Sequence, residues 1–181
     1  TDNKELGDIK KRISGSSKIQ YLPNFPKIPD SNEIKDIIKN KGEVKLVSIA
    51  RISPEKNTLF ALRVISNFTY SGTVKFDLYG TVYNKAYWQE CLNIIKSLPE
   101  NIIVSYCNSI ESKLVSETFS KYHFAFMPSI GENFGHSIFE SMSVAKPVII
   151  SNKTPWTNLA EKQTGWDISL ALLNWPFLLF I

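Results

Sequence analysis

The chain has 181 residues, of which 43% are hydrophobic and 21% are charged, and its formal net charge at pH 7 is +4. These values are typical of one soluble globular domain with its own core, and they exclude a disordered chain. Cys91 and Cys107 form no CxxC pair, which excludes a cysteine metal site and favours a reducing cytosol. Lys and Arg are spread out apart from a cluster at residues 10–12. We interpret most of this charge as solvated surface, and attraction to an anionic substrate or membrane face stays open.

The first 43 residues are predicted to precede the main core. Their pattern predicts a polar helix over residues 4–13, a short strand over residues 19–22 and a second helix over residues 32–38. Asp30 or Ser31 would cap the second helix. This part therefore reads as a charged leading segment followed by a connecting strand and a linker.

Regular alternation of strands and helices begins at Val44. Short apolar runs predict five strands, and apolar residues at intervals of three or four predict four helices between them. The strands are predicted at residues 44–50, 74–79, 102–106, 124–127 and 148–151, and the helices at residues 57–68, 84–98, 113–122 and 134–144. Alternation with short connections predicts an α/β fold with a parallel, doubly wound (Rossmann-like) sheet and right-handed crossovers.

Four predicted loops follow the carboxyl ends of the strands, which is where such sheets bind ligands. They are residues 51–56, 80–84, 107–112 and 129–135. Because the fold would bring all four to one rim of the sheet, the sequence predicts a single site there.

The last of these loops carries the strongest chemical signal. It contains Gly131-Glu132-Asn133-Phe134-Gly135 and leads into a helix that carries Glu140. A loop that feeds a helix N-terminus presents free backbone N–H groups and a positive dipole end, which suits an anionic ligand. Two nearby carboxylates suit hydroxyl groups instead. The combination of an anion and a polyol suggests a sugar nucleotide.

The same run resembles the signature of the retaining GT-B glycosyltransferases of the group 1 family (family 4-like), in their C-terminal, donor-binding domain. That signature is E-x-F-G-x-x-x-x-E-A-x-A-x-G-x-P-V. Both glutamates keep the family's spacing, while Ser143 replaces a usual Ala and Ala145 replaces the usual Gly. A positive φ at that Ala would be unfavourable. The matching segments are Glu132-Asn133-Phe134-Gly135, Glu140-Ser141-Met142-Ser143 and Ala145-Lys146-Pro147-Val148.

The resemblance implies a catalytic set made of Arg51, Lys56 and Glu132. Arg51 and Lys56 match an R-[LI]-x-x-x-K element whose side chains contact the donor diphosphate, and Glu132 would lie against the donor sugar. From position alone, the two cations could equally be solvated surface residues. Glu132 could be no more than a carboxylate stabilised at a helix N-terminus.

Further positions are implied to bind substrate. Glu140 would hydrogen-bond the ribose hydroxyls, and the others would act largely through backbone groups around the sugar, the phosphates and the base. For the positions after the second and third strands, ordinary turn chemistry is the alternative. The backbone positions are Asn133, Phe134, Gly135, Gly80, Asn108, Ser109 and Ile110. No Asp-x-Asp occurs, and no metal site or other cofactor is predicted.

Two histidines and one aromatic segment carry weaker signals. His123 opens an apolar strand and is interpreted as structural, whereas His136 could face the ligand or solvent. Residues 154–156 (TPW) and 165–167 (GWD) resemble a segment of some bacterial members of the family, and we interpret them as structural.

The resemblance covers about residues 19–170 and implies a division of the chain. Residues 1–18 would be the tail of a missing N-terminal acceptor-binding domain, residues 19–43 the connecting strand and linker, and residues 44–169 the donor-binding domain. Residues 170–181 form an atypical apolar tail, too short to span a bilayer. A truncated reading frame, packing on the sheet and association with a partner are its open explanations.

The function implied is metal-independent transfer of a sugar from a UDP- or GDP-sugar to an acceptor hydroxyl. Bacterial polysaccharide biosynthesis in the cytoplasm is the expected setting, with peripheral association at the inner membrane face left open and no nucleic-acid partner. The isolated chain is expected to bind nucleotide but to turn over poorly or not at all. Two alternatives stay open: a related GT-B enzyme, such as a nucleotide-sugar epimerase or a phosphorylase, and a non-enzymatic remnant that serves association.

Overall fold

The computed structural model describes residues 3–13, 37–68 and 71–171 of the chain. The strand predicted at residues 19–22, most of the helix predicted at residues 32–38 and nearly all of the apolar tail lie outside these residues. Within the described part, residues 37 and 38 are not helical, so the second predicted helix does not reach its expected end.

Five helices and six strands make up the described fold. The helices are α1 (Asn3–Arg12), α2 (Thr58–Ser66), α3 (Lys85–Lys96), α4 (Val115–Phe119), which a 3₁₀ turn (Ser112–Leu114) precedes, and α5 (His136–Ser143). The strands are β1 (Glu43–Ile49), β2 (Thr73–Tyr79), β3 (Ile102–Tyr106), β4 (Phe124–Met127), β5 (Val148–Ser151) and β6 (Gly165–Ile168).

The six strands form one sheet in the order β3-β2-β1-β4-β5-β6, and every neighbouring pair is parallel. This confirms the predicted doubly wound α/β fold, and all five predicted strands are present. β6 was not predicted. It extends the sheet beyond β5, with Val148 opposite Gly165 and Ser151 opposite Ile168.

Two hydrophobic clusters cover the two faces of the sheet, because successive side chains of a strand point to opposite faces. Leu46 of β1 packs in the cluster that contains α2 and α3, while Val47 packs in the cluster that contains α4 and α5. Both side chains are fully buried. Burial on two faces explains why the central strands read as continuous apolar runs.

The ends of β1 and β2 approach each other closely at Gly80. This residue has a φ of +143°, and a Cβ atom built on it would lie 1.9 Å from the backbone carbonyl oxygen of Ala50. The N–H of Ala50 donates to the carbonyl of Tyr79 at 2.9 Å. The turn that follows β1 is therefore packed directly on the backbone that follows β2.

Ala145, which stands where the family pattern has Gly, adopts the left-handed region with a φ of 56°. This conformation costs an L-residue about 1–2 kcal/mol. We therefore expect Ala145→Gly to raise the free energy of unfolding by about 1 kcal/mol, as measured by urea denaturation. The matched control is Ala86→Gly at an exposed position of α3, which should lower that free energy by up to about 1 kcal/mol. A loss of stability in both variants would contradict the strain at Ala145.

Candidate functional site

A crevice opens where the chain leaves the sheet in two opposite directions. β1 continues to β2 and β3 on one side, whereas its neighbour β4 continues to β5 and β6 on the other. Such a switch point in a parallel sheet leaves room for a ligand outside the carboxyl ends of the two strands. A cavity of about 1150 Å³ lies here. Its lining comes from residues 50, 51, 55 and 56 after β1, the last residue of β4 (Met127), residues 131–138 after β4, Lys153, and Asp8, Ile9 and Arg12 of α1.

Six of the predicted site residues line this cavity, and they come from two separate strand ends. They are Arg51, Lys56, Glu132, Asn133, Phe134 and Gly135. The other predicted positions, Gly80, Asn108, Ser109, Ile110 and Glu140, are not among the residues that line it. The structure thus brings together the part of the site that follows β1 and β4, while the roles of all these residues stay predictions.

Lys56 and Glu132 form an ion pair across the crevice. The Lys56 Nζ atom lies 2.6 Å from Oε1 and 2.7 Å from Oε2 of Glu132. The Ser129 hydroxyl also donates to Oε1 at 2.8 Å. The two charged side chains are only 21% and 13% exposed, so solvent screens this pair less than an ordinary surface pair. The pair holds both functional groups at fixed positions in the wall of the cavity.

Three more hydrogen bonds connect the segment after β4 to its neighbours, two of them to the segment after β1 and one to the end of β5. The N–H of Ile130 donates to the carbonyl of Glu55 at 2.9 Å, and the Asn57 side-chain amide donates to the carbonyl of Pro128 at 3.1 Å. The Ser151 hydroxyl donates to the carbonyl of Ser129. Asn57 was not among the predicted site residues. The signal that could have identified it is an Asn at the first position of the predicted helix, because Asn tolerates the left-handed φ of 58° found there.

Arg51 reaches into the cavity from an exposed position. Its guanidinium carbon lies 5.3 Å from the centre of the Tyr83 ring, within the range of a cation–π contact. Tyr83 is itself 69% exposed. In the described part of the chain Arg51 makes no salt bridge. Its positive charge is therefore available to an anionic ligand.

The N-terminus of α5 opens into the same cavity. Gly135 occupies the N-cap position with a φ of 81° and has no side chain with which to cap the helix. The next residues, His136 and Ser137, also line the cavity. Unpaired N–H groups and the positive end of the helix dipole favour an anion at this position, as the loop motif predicted.

Glu140 lies on α5, one turn beyond His136. Burial raises the pKa of its carboxyl group above the usual range, and the nearby His136 acts in the opposite direction. Among the described residues, no donor hydrogen-bonds to the Glu140 carboxylate, so a ligand hydroxyl would not have to displace one.

The loops after β2 and β3 are bonded to each other. Asn108 adopts the left-handed region, as its residue type allowed, with a φ of 59°. Its carbonyl accepts the N–H of Gly80 at 2.9 Å. Asn108 and Ser109 are exposed, whereas Ile110 packs against the core cluster that contains α4 and α5. Of these residues, Asn108 and Ser109 have exposed surface that a ligand could contact.

Of the two histidines, His136 lines the cavity and His123 does not. His123 is buried, its Nδ1 accepts the N–H of Lys45 at 2.9 Å, and burial lowers the pKa of its imidazole. This neutral acceptor role agrees with its structural interpretation.

Across residues 3–13, 37–68 and 71–171, no group of three or more His, Cys, Asp or Glu side chains could hold a metal ion. In the same ranges, no helix has the length and apolarity to cross a membrane.

The sequence matches the family described as glycosyl transferases group 1 over residues 30–165, which is well over half of the chain. No curated protein matches it.

Several solved structures share the fold. A mutant of TarM from S. aureus aligns with a TM-score of 0.65 and 17% identity, over 98% of this chain and 36% of that one. The pneumococcal O-GlcNAc transferase GtfA, crystallised with UDP and GlcNAc, aligns with a TM-score of 0.63 and 19% identity, over 93% of this chain and 33% of that one. The catalytic domain of the cholesterol-α-glucosyltransferase from Helicobacter pylori aligns with a TM-score of 0.59 and 13% identity, over 75% of this chain and 83% of that one. The chain thus spans about a third of the first two proteins.

Proposed function

Since the chain belongs to the group 1 glycosyl transferases, we propose that its cavity binds the nucleoside-diphosphate sugar that serves as the donor. The observation that carries the proposal is the meeting of three features in one cavity. These are the guanidinium of Arg51, the Lys56–Glu132 pair and the N-terminus of α5, which begins at a glycine. Cations and free N–H groups suit a diphosphate, and a fixed carboxylate suits sugar hydroxyls.

Arg51 and Lys56 would act on the leaving group. When the bond between the sugar and the diphosphate breaks, negative charge grows on the diphosphate, and fixed cations in a partly enclosed site stabilise that charge. Arg51 offers a planar fork that can bind two phosphate oxygens, whereas Lys56 offers a point charge. α5 adds its partial positive charge at the same place.

Glu132 and the backbone around it would hold the sugar. Its carboxylate is fixed by Lys56 and Ser129, so it presents its remaining acceptor capacity in one orientation. We assign Glu140 to the ribose hydroxyls, and Gly80 and residues 108–110 to the approach of the base. In this assignment the nucleotide extends from the α5 end of the cavity toward the loops after β2 and β3.

The proposed reaction is transfer to an acceptor hydroxyl with retention of configuration and without a metal ion. Retention rests on the motif resemblance, and independence of a metal rests on the two cations that would balance the diphosphate. Because the chain spans about a third of several matched structures, we assign acceptor binding to another domain. Cytoplasmic bacterial polysaccharide synthesis is the proposed setting.

Calorimetric titration of the chain with UDP, GDP and ADP tests the donor site. One of the three is expected to bind, and the structure of GtfA with UDP makes UDP the first choice. Arg51→Ala should weaken this binding by about tenfold or more, the effect of one charge-assisted hydrogen bond, and Glu140→Ala should weaken it as well. Incubated with the matching nucleotide sugar and candidate acceptors, the isolated chain is expected to transfer none.

The matched control is Arg63→Ala, which makes the same change at an exposed residue of α2 outside the cavity lining. It should leave the affinity unchanged. The thermal transition of each variant establishes that it is folded. Failure of the folded chain to bind any of the three nucleotides would contradict the proposal, and equal losses in Arg51→Ala and Arg63→Ala would contradict the role of Arg51.

A further inference from the structure

Trp156 lies in the segment after β5 and reaches back to the loop formed by residues 131–135, here named the cavity loop. Its indole N–H donates a hydrogen bond to the backbone carbonyl of Phe134, 22 residues earlier. The two rings also meet edge to face, with centres 5.4 Å apart and an interplanar angle of 71°. Phe134 lines the cavity and Trp156 does not. The indole therefore supports the cavity loop from behind.

Gly135 shows how closely the loop and the indole fit. A Cβ atom at this position would lie 3.3 Å from the indole nitrogen of Trp156 and 2.9 Å from the end of the Ile138 side chain. The loop backbone thus has no free space on this side. Because a trans peptide is planar, the bond that fixes the Phe134 carbonyl also fixes the Gly135 N–H in the opposite direction.

The segment that carries Trp156 is itself held by the sheet. Leu159 is buried in the core cluster that contains α4 and α5. The Asp167 carboxylate of β6 accepts the N–H groups of Asn158 at 3.2 Å and Leu159 at 2.9 Å. Nearer the indole, the Thr154 hydroxyl accepts the N–H of Trp156 at 3.3 Å. The segment that carries the indole is therefore held by contacts that do not involve the cavity loop.

We propose that Trp156 is a positioning residue that sets the backbone geometry of the cavity loop, and through it the affinity of the cavity for a nucleoside diphosphate. This inference rests on the proposed function. It gives the aromatic segment at residues 154–156 a role beyond packing, since the bond from the indole ends on a backbone group next to the capping residue of α5.

The test replaces one N–H donor and keeps an aromatic ring. In Trp156→Phe the packing against Phe134 and Phe139 is largely kept, while the bond to the Phe134 carbonyl is lost. UDP, with GDP and ADP in parallel, is titrated into the whole chain. Affinity is expected to fall by about three- to tenfold, the effect of one hydrogen bond. The matched control is Trp166→Phe on β6, whose ring packs against Phe124 in the core. It should bind as tightly as the wild type.

A spectroscopic measurement separates positioning from stability. The indole N–H resonance of Trp156 is assigned in a ¹H–¹⁵N spectrum by its loss in Trp156→Phe. Saturating UDP should shift this resonance although the indole does not line the cavity, and it should leave the Trp166 resonance in place. The thermal transitions of both variants establish that they are folded.

The outcomes are distinct. If the wild type binds UDP and Trp156→Phe binds it equally well, or if the Trp156 resonance does not move, the inference is overturned while the proposed function stands. If the wild type binds none of the three nucleotides, the proposed function is contradicted, and this inference is overturned with it.

Discussion

Gly80→Ala is expected to lower the free energy of unfolding by about 3–5 kcal/mol, or to prevent folding altogether. Two effects add at this position. The φ of +143° is a conformation that L side chains rarely adopt, and the new Cβ atom would lie 1.9 Å from the carbonyl oxygen of Ala50. The clashing atom is backbone rather than the end of a flexible side chain, so the ends of β1 and β2 would have to separate. Equilibrium denaturation in urea measures the loss.

The control for this variant is Gly7→Ala in α1. Nothing lies within 4 Å of the position that a Cβ atom would take there, and its φ is not in the positive region. In a helix, alanine is more favourable than glycine, so this variant should lose no stability. A Gly80→Ala protein with the unfolding midpoint of the wild type would show that the two strand ends can move apart freely, against the geometry described above.

Lys56→Met is expected to lower kcat/KM of the complete enzyme by about 100-fold or more, because it removes one of the two cations that we propose to face the developing charge.

Glu132→Gln should raise the affinity of the chain for UDP that carries no sugar. The substitution releases Lys56 from its carboxylate partner and removes a negative charge from the cavity. Steady-state kinetics and calorimetry measure the two effects.

A double-mutant cycle on the free energy of unfolding checks that these changes act through the pair. For Lys56→Met and Glu132→Gln we expect a coupling of about 1–2 kcal/mol, within the range for residues in direct contact. The same substitutions at Lys75 and Glu43 are the control. That pair has a contact of 2.8 Å, but its lysine is 45% exposed, so solvent screening should make its coupling clearly smaller than that of Lys56 and Glu132. Equal couplings for the two pairs would contradict the special environment of Lys56 and Glu132.

The sheet was predictable because its central strands are buried on both faces, which leaves a continuous apolar run in the sequence. β6 has no such run. It is a four-residue edge strand of Gly, Trp, Asp and Ile, and only its first residue is buried. The helix predicted at residues 113–122 is shorter than expected, since a 3₁₀ turn occupies its start and the helix proper ends at Phe119. Short elements with mixed polarity give a weak periodic signal.

The site was predictable in its composition and less so in its contacts. Strand order brings Arg51, Lys56 and Glu132 to one rim, and the positions of strand ends can be read from hydrophobic runs. The contact between Lys56 and Glu132 joins residues 76 positions apart and depends on the lengths of two loops, which periodicity does not specify. Trp156 was harder still, because its partner is a backbone carbonyl and carries no residue-type signal.

The segment that carries Trp156 is hydrogen-bonded to β6, and this connects the cavity loop to the edge of the sheet. β1 is paired on both sides, so its amide hydrogens should exchange with solvent only when the whole domain unfolds, whereas β6 is paired on the β5 side alone in the described sheet. Edge strands open locally at a much smaller free energy than the core. Each time β6 frays, Asp167 leaves the N–H groups of Asn158 and Leu159, and one anchor of the segment beneath the indole is lost. The fraction of time for which the cavity loop is fully held in place then depends on a local opening equilibrium at the sheet edge, in addition to the global stability of the domain.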